Sequence, residues 1–355
     1  MFHGRRYRRR CCCLAIVSLL FCYLYFSKQI RRHILTRELL TFILPNTQNT
    51  IDDSVIIAPS RLHPKLDLLI LISSNPHDVS RAENRMAIRN TWGNCNDRHL
   101  HFDCQLVFFV GKTYTDRDAA IMREASENQD MFICNMNDTY QSITRKLMCV
   151  FKWANQGMAE YILKTDDDIY VQMPALVSYL HSQPRERYYG GVVYSGDVVR
   201  DPRHKHYLHK DTYKADFFPP FCKGAMYVIS GDLMDPLLKA SEQVKRFFID
   251  DAYIGVLMMY LSVTPVSIEG FYQHDFLPAF VDLISDCSLL HLFGVSDALT
   301  ADNIYYIHQR VLRIHSQNNW CISFSNFLAL FVVSTVLGIV IMFLKIKYME
   351  HTHQR

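Results

Sequence analysis

Two acidic clusters are the parts of this sequence equipped to do chemistry. In residues 164–171, KTDDDIYV, Asp166, Asp167 and Asp168 stand in a row between apolar stretches. Adjacent carboxylates repel one another, and a hard divalent cation seated among them relieves the repulsion. Oxygen-only ligation suits magnesium or manganese better than zinc. A solvated acidic loop would have the same composition; the apolar runs on either side tip the reading toward a metal site. In residues 249–255, IDDAYIG, a second pair, Asp250 and Asp251, sits in an otherwise apolar context. Paired carboxylates partly withdrawn from water tend to have raised pKa values, as a general base near neutral pH requires. The same pair also suits a helix N-terminus, and read alone it fits either role.

Such groups need elements to position them. The apolar runs 66–73, 105–110 (closed by Gly111) and 161–164 read as short strands buried on both faces, as in a parallel sheet. Between them, residues 80–90 read as a helix with Ser80 as N-cap and Glu83 completing a capping box; 139–154 and 173–181 have helical spacing. Alternating strands and helices imply an α/β domain. Ligands of open α/β sheets bind beyond the carboxyl ends of the strands, so the residues following Leu163 hold a favoured position.

The ends of the chain read differently. A basic tail, 1–10, with Arg5, Arg6, Arg8, Arg9 and Arg10, precedes the apolar segment 11–27, which lacks a small-residue cleavage site and reads as a signal anchor with a cytosolic N-terminus. Residues 28–64 contain Pro45, Pro59 and Pro64 without sustained periodicity and read as a stem. The segment 320–344, opening at Trp320, is apolar and reads as a second transmembrane helix, leaving 345–355 as a cytosolic tail and 65–319 as a lumenal domain. Six cysteines in that domain, Cys95, Cys104, Cys134, Cys149, Cys222 and Cys287, are compatible with disulfides in an oxidising compartment, with the pairing left open. Asn137-Asp138-Thr139 is an N-glycosylation sequon. The net charge is only +3, its excess near the ends, which argues against a nucleic-acid partner.

Several motifs in order carry a resemblance. RAENRMAIRNTWG (81–93), Phe109 to Gly111, the set Asp138, Thr139, Tyr140, Thr144 and Lys146, then KTDDD (164–168), FFPPFCKGAMYVIS (217–230), and Asp251, Tyr253 and Gly255 resemble the β-1,3-galactosyltransferase and β-1,3-N-acetylglucosaminyltransferase family of inverting type II membrane enzymes. That resemblance implies an α/β nucleotide-diphospho-sugar transferase domain, A-type and Rossmann-like, with membrane helices at both ends. It implies Mn2+ as the divalent metal and a UDP-sugar as donor. The acceptor would be a glycan on a glycoprotein or glycolipid, and the setting the Golgi membrane with the catalytic domain lumenal. Homo-oligomerisation is compatible with it. Asp168 would ligate the metal, with Asp166 contributing to it; Asp166 and Asp167 would also hold the ribose and the metal's water shell. Asp251 would be the catalytic base. Arg85 and Arg89 would contact the nucleotide or else be surface helix charges, and Lys223 and Gly224 would lie against the donor sugar. His274 and His308 are candidates for an additional metal ligand. Asp250 in place of the family's glutamate, Ser142 in place of its asparagine, and Ala225 and Met226 in place of a glycine run depart from the pattern, the last pointing to a narrower or differently shaped donor pocket.

Overall fold

The structure is a computed structural model that describes residues 54–59, 65–95, 102–157, 159–273, 284–296, 298–316 and 335. The strands are β1 (Val55–Ile57), β2 (Leu66–Ser73), β3 (Cys104–Lys112), β4 (Met131–Asn137), β5 (Ala159–Asp166), β6 (Ile169–Val171), β7 (Tyr189–Tyr194), β8 (Phe221–Ser230), β9 (Val266–Ser267), β10 (Phe271–Gln273) and β11 (Gly294–Ser296). The helices are α1 (Ser80–Asn90), α2 (Arg117–Asn128), α3 (Ile143–Ala154), α4 (Met173–Leu180), α5 (Met234–Gln243), α6 (Asp250–Tyr260), α7 (Asp286–His291) and α8 (Ala301–Ser316).

The main sheet runs β1-β4-β3-β2-β5-β8-β7-β9, with a small sheet β10-β11-β6 beside it. The strand run β4-β3-β2-β5 is parallel, whereas β8 is antiparallel to both β5 and β7. Alternation along β2 explains its central place. Leu69 and Leu71 enter one half of the core with α3, α5 and α6, while Leu68, Ile70 and Ile72 enter the other with α1, α2, α4 and α8. A strand that must bury both faces has only apolar choices, and LDLLILIS supplies them apart from Asp67 and the terminal Ser73.

Strand order reverses at β2: β3 and β4 extend to one side, β5 to the other. The carboxyl ends of the two diverging strands mark the crevice in which ligands of such sheets bind, and there Ser73 is in register with Asp166. The antiparallel register of β8 brings Met226 opposite Thr165, so Gly224 lies just past the end of β5. Gly255 permits α6 to lie on β8, since a Cβ there would stand 2.3 Å from Phe221 Cβ.

Several expectations are corrected. The stem does not extend to residue 64: Val55–Ile57 pairs with β4 as an edge strand. Ser80 and Glu83 form no capping box; the Asp78 carboxylate instead accepts from the Ser80 N–H at 3.0 Å and its Oγ at 2.7 Å. The helix expected over 139–154 begins with a separate 3₁₀ turn, Tyr140–Ser142, because Thr139 and Ser142 cap one another there. Cys95 and Cys104 are disulfide-bonded, as is Cys287, whereas Cys134 and Cys222 are buried thiols inside the core. Among the described residues no helix is long and apolar enough to cross a membrane. The segments 11–27 and 320–344 lie outside the described residues, apart from Thr335.

Candidate active site

The crevice is lined by both acidic clusters. Asp166 ends β5, and its Oδ1 accepts from Lys164 Nζ at 2.8 Å; the same ammonium donates to Gly224 O at 2.6 Å and lies 3.8 Å from Asp250 Oδ2. Lys164 is 2% exposed, so a buried cation ties the end of β5 to β8 and to the first turn of α6. Asp251 follows in that turn. Its Oδ2 accepts from Gly224 N at 2.9 Å and its Oδ1 from Ala252 N at 2.7 Å. Gly224 therefore links the two clusters, its N–H on Asp251 and its carbonyl on Lys164.

Asp167 and Asp168 are held from the other side. Arg81 Nη1 lies 2.9 Å from Asp167 Oδ1 and 3.1 Å from Asp168 Oδ2. Ser74 Oγ donates to Asp167 Oδ2 at 2.5 Å, and Asn84 Nδ2 donates to the Asp167 and Leu299 carbonyls. Deeper in, Lys146 Nζ lies 2.9 Å from Asp138 Oδ2 and donates to Ser74 O, while Gly111 N donates to the same Asp138 oxygen. That buried pair pins the carboxyl ends of β2, β3 and β4 together.

The electrostatics follow from this crowding. Desolvation, then the charge on Asp250, pushes Asp251 up to about 7. Desolvation raises Asp167 to about 7 against the pull of Arg81, and Asp166 to about 6 against that of Lys164. Asp166 nevertheless keeps 37% of its side chain open to solvent, which leaves its oxygens available to a ligand. These five aspartates share Lys164 and Arg81, so negative charge is in excess. Among the described residues no three His, Cys, Asp or Glu converge on one point as a complete metal cage. The donor set still fits a magnesium- or manganese-like ion, which prefers a few carboxylates and completes its sphere with water and phosphate oxygens.

The remaining expected residues fall as follows. Arg85 is 3% exposed, with Nε and Nη2 on Glu124 and Nη1 on Ser74 Oγ. Arg89 binds Asp130 through Nε and Nη2 and Glu124 through Nη1, over the Phe108 ring. Both guanidinium groups are thus held on protein carboxylates, and Arg81 is the arginine that meets the aspartate run. Lys223 Nζ sits 5.6 Å from the Tyr194 ring centroid. His308 shares a hydrogen bond with the Tyr170 hydroxyl on β6 at 3.1 Å; His274 lies outside the described residues. Asn137 is exposed at the end of β4. Met226 does not narrow the crevice: it is 1% exposed and its Sδ packs against Gly294 in the core. Ser74, Arg81 and Lys164 as partners of the site were not singled out from sequence, whereas Asp250 was, as half of the second acidic pair. Lys164 and Arg81 do stand inside motifs 81–93 and 164–168, the signal that could have found them.

This chain matches the family model "Galactosyltransferase" over residues 83–269. It is 30% identical over 223 residues to mouse (Mus musculus) beta-1,3-galactosyltransferase 1, covering 61% of this chain and 68% of that protein. It is 31% identical over 226 residues to human beta-1,3-galactosyltransferase 2, covering 60% of this chain and 52% of that one. Among solved structures, mouse xyloside xylosyltransferase 1 aligns with a TM-score of 0.32 at 11% identity, over 62% of this chain and 90% of that chain, a level from which nothing further follows. The family model spans more than half of the sequence and takes in both carboxylate clusters: the chain belongs to the galactosyltransferase family.

Proposed function

We propose that this protein transfers a hexose, with UDP-galactose the favoured donor, to a glycan of a glycoprotein or glycolipid, inverting the anomeric centre and forming a β-1,3 linkage. The setting is the Golgi membrane, with residues 65–319 in the lumen. The observation that carries the reading is Asp251: a carboxylate raised to about 7, fixed by two backbone N–H groups, beside the aspartate run at the sheet's switch point.

Asp168 and Asp166 would hold Mn2+, whose chemistry is to neutralise charge on the departing diphosphate. Asp251 removes the proton from the acceptor hydroxyl. The oxygen so freed bonds to the anomeric carbon from the face opposite the leaving group, while the bond to the diphosphate breaks and its electron pair leaves with UDP. Lys164 keeps Asp166 and Asp250 on their respective sides of the crevice, and Arg81 locks Asp167 so that the run keeps one geometry. Ser74 and Asn84 support that lock.

The test is turnover of a panel of UDP-sugars by the purified full chain in detergent, with Mn2+ and then with chelator. Metal-dependent consumption of UDP-galactose supports the reading, and preference for UDP-N-acetylglucosamine would change the donor within it. Folded protein that consumes no UDP-sugar overturns it in favour of a glycan-binding, catalytically silent family member.

A further inference from the structure

One aromatic group beside the proposed base has no task in the chemistry above. Tyr140 stands on the 3₁₀ turn Tyr140–Ser142, and 44% of it is exposed. A large aromatic ring left half in water is unremarkable alone, but this one is held at its turn and by two ring neighbours. Ser142 Oγ accepts from Thr139 N at 2.9 Å and donates to Asn137 O at 2.6 Å, so the turn that carries the ring is rigid. The ring lies nearly parallel to His206, at 13° and 5.9 Å between centroids, and meets the Phe248 ring edge-on at 5.6 Å. Phe248 is two residues before Asp250. The phenol feels the same carboxylates: burial, then Asp250 and Asp251, push it up to about 12. The ring is therefore a held, partly solvent-facing aromatic surface packed against Phe248, which leads into the first turn of α6 where Asp250 and Asp251 stand.

A pyranose presents one face of C–H groups and a rim of hydroxyls, and an aromatic ring is the side chain that takes such a face while leaving the hydroxyls free. We propose that Tyr140, backed by His206 and Phe248, is the shelf on which the acceptor's terminal pyranose stacks, setting its hydroxyl toward Asp251. The inference rests on the glycosyl-transfer reading for the role of Asp251, and it makes Tyr140 a specificity residue for the acceptor rather than the donor.

The experiment is saturation-transfer NMR on the full chain in detergent with UDP and Mn2+, titrating methyl β-glycosides of galactose, glucose, N-acetylglucosamine and N-acetylgalactosamine. UDP affinity is measured separately by calorimetry. Expected is binding of at least one glycoside, weakened about tenfold or more by Tyr140→Ala and restored to within about twofold by Tyr140→Phe, because the ring and not the hydroxyl does the stacking. His206→Ala should weaken the same glycoside less, and UDP affinity should not change in any of the three variants. Absence of glycoside binding by the wild type, or equal binding by Tyr140→Ala, overturns the shelf. An equal loss of UDP affinity in Tyr140→Ala would also overturn it, by placing the ring on the donor. A wild type that binds a glycoside through Tyr140 but no UDP with Mn2+ leaves the shelf standing and removes the transferase reading.

Discussion

Replacing Asp251 by Asn separates the base from everything else the side chain does. Both carboxylate oxygens accept backbone N–H groups, from Gly224 and Ala252. An amide can reproduce one of those bonds; the other N–H then faces an NH2 group, an unmade hydrogen bond that costs about 1–3 kcal/mol. The same change removes a desolvated charge repelled by Asp250, so the two effects oppose each other and the fold should persist. The rate should fall by roughly 10²–10⁴-fold, the usual contribution of a positioned general base. With Asp251 at about 7, about half of the wild type carries the base at pH 7 and about a tenth at pH 6. Wild-type kcat/KM should therefore climb about tenfold per pH unit below neutrality and level off above it. The residual rate of Asp251→Asn should lose that component of the pH dependence, leaving only what Asp166 and Asp167 contribute. Stability carries the opposite sign. The folded value lies above the unfolded one of about 3.9, so the folded state binds more protons between the two. The contribution of Asp251 to stability is complete below about pH 4 and is lost as pH rises through about 7, so wild type should lose ground to Asp251→Asn across that window. The assay is UDP release from the identified donor with Mn2+ from pH 5 to 8, alongside thermal melts of both proteins. Unchanged turnover by Asp251→Asn, or a wild-type rate that does not respond to pH below 7, refutes the reasoning.

Three further outcomes follow from the same geometry. Gly224→Ala should fold normally, since the new Cβ would meet Asp251 Oδ2 at 3.4 Å in ordinary contact. It should nevertheless slow transfer by roughly ten- to a hundredfold by crowding the base, read as kcat against an unchanged melting temperature. Lys164→Met leaves Asp166, Asp250 and the Gly224 carbonyl without their shared cation and should destabilise by about 3–5 kcal/mol, or about 10 °C in Tm, with partial recovery on adding Mn2+. Arg89→Ala should cost about 2 kcal/mol in a denaturant titration through loss of its Asp130 and Glu124 pairs, while UDP affinity by calorimetry stays within about twofold; a selective loss of UDP binding would restore Arg89 to the nucleotide.

The parallel half of the sheet was legible because its strands bury both faces and so must be written almost entirely in apolar letters: residues 66–73 are read to the residue. The placement of Asp166 to Asp168 at the end of a core strand was legible for the complementary reason, charge following an apolar run. The antiparallel half was not. β8 carries Lys223 and Gly224 in a half-buried stretch near its start, which breaks the apolar run that announces a strand. Its importance comes from register with β5, a contact about 60 residues away in the chain. Arg85 and Arg89 have the i,i+4 spacing of a solvent-facing pair, and only the placement of α2, with Glu124, shows what they hold. Ser80 has the letter of an N-cap, but Asp78 has the longer reach and takes its N–H. For β8 and for the two arginines the missing information was a partner distant in sequence, which periodicity does not encode; for Ser80 it was a competing acceptor two residues away.

The central claim, inverting galactosyl transfer at this crevice, is tested most directly by the anomeric configuration of the product. UDP-α-galactose and the acceptor identified by turnover are incubated with the purified protein and Mn2+, and the new linkage is read by proton and carbon NMR. A β-linked galactose at the acceptor's third hydroxyl, absent with chelator, is the predicted result; an α-linked product would contradict a single displacement driven by Asp251.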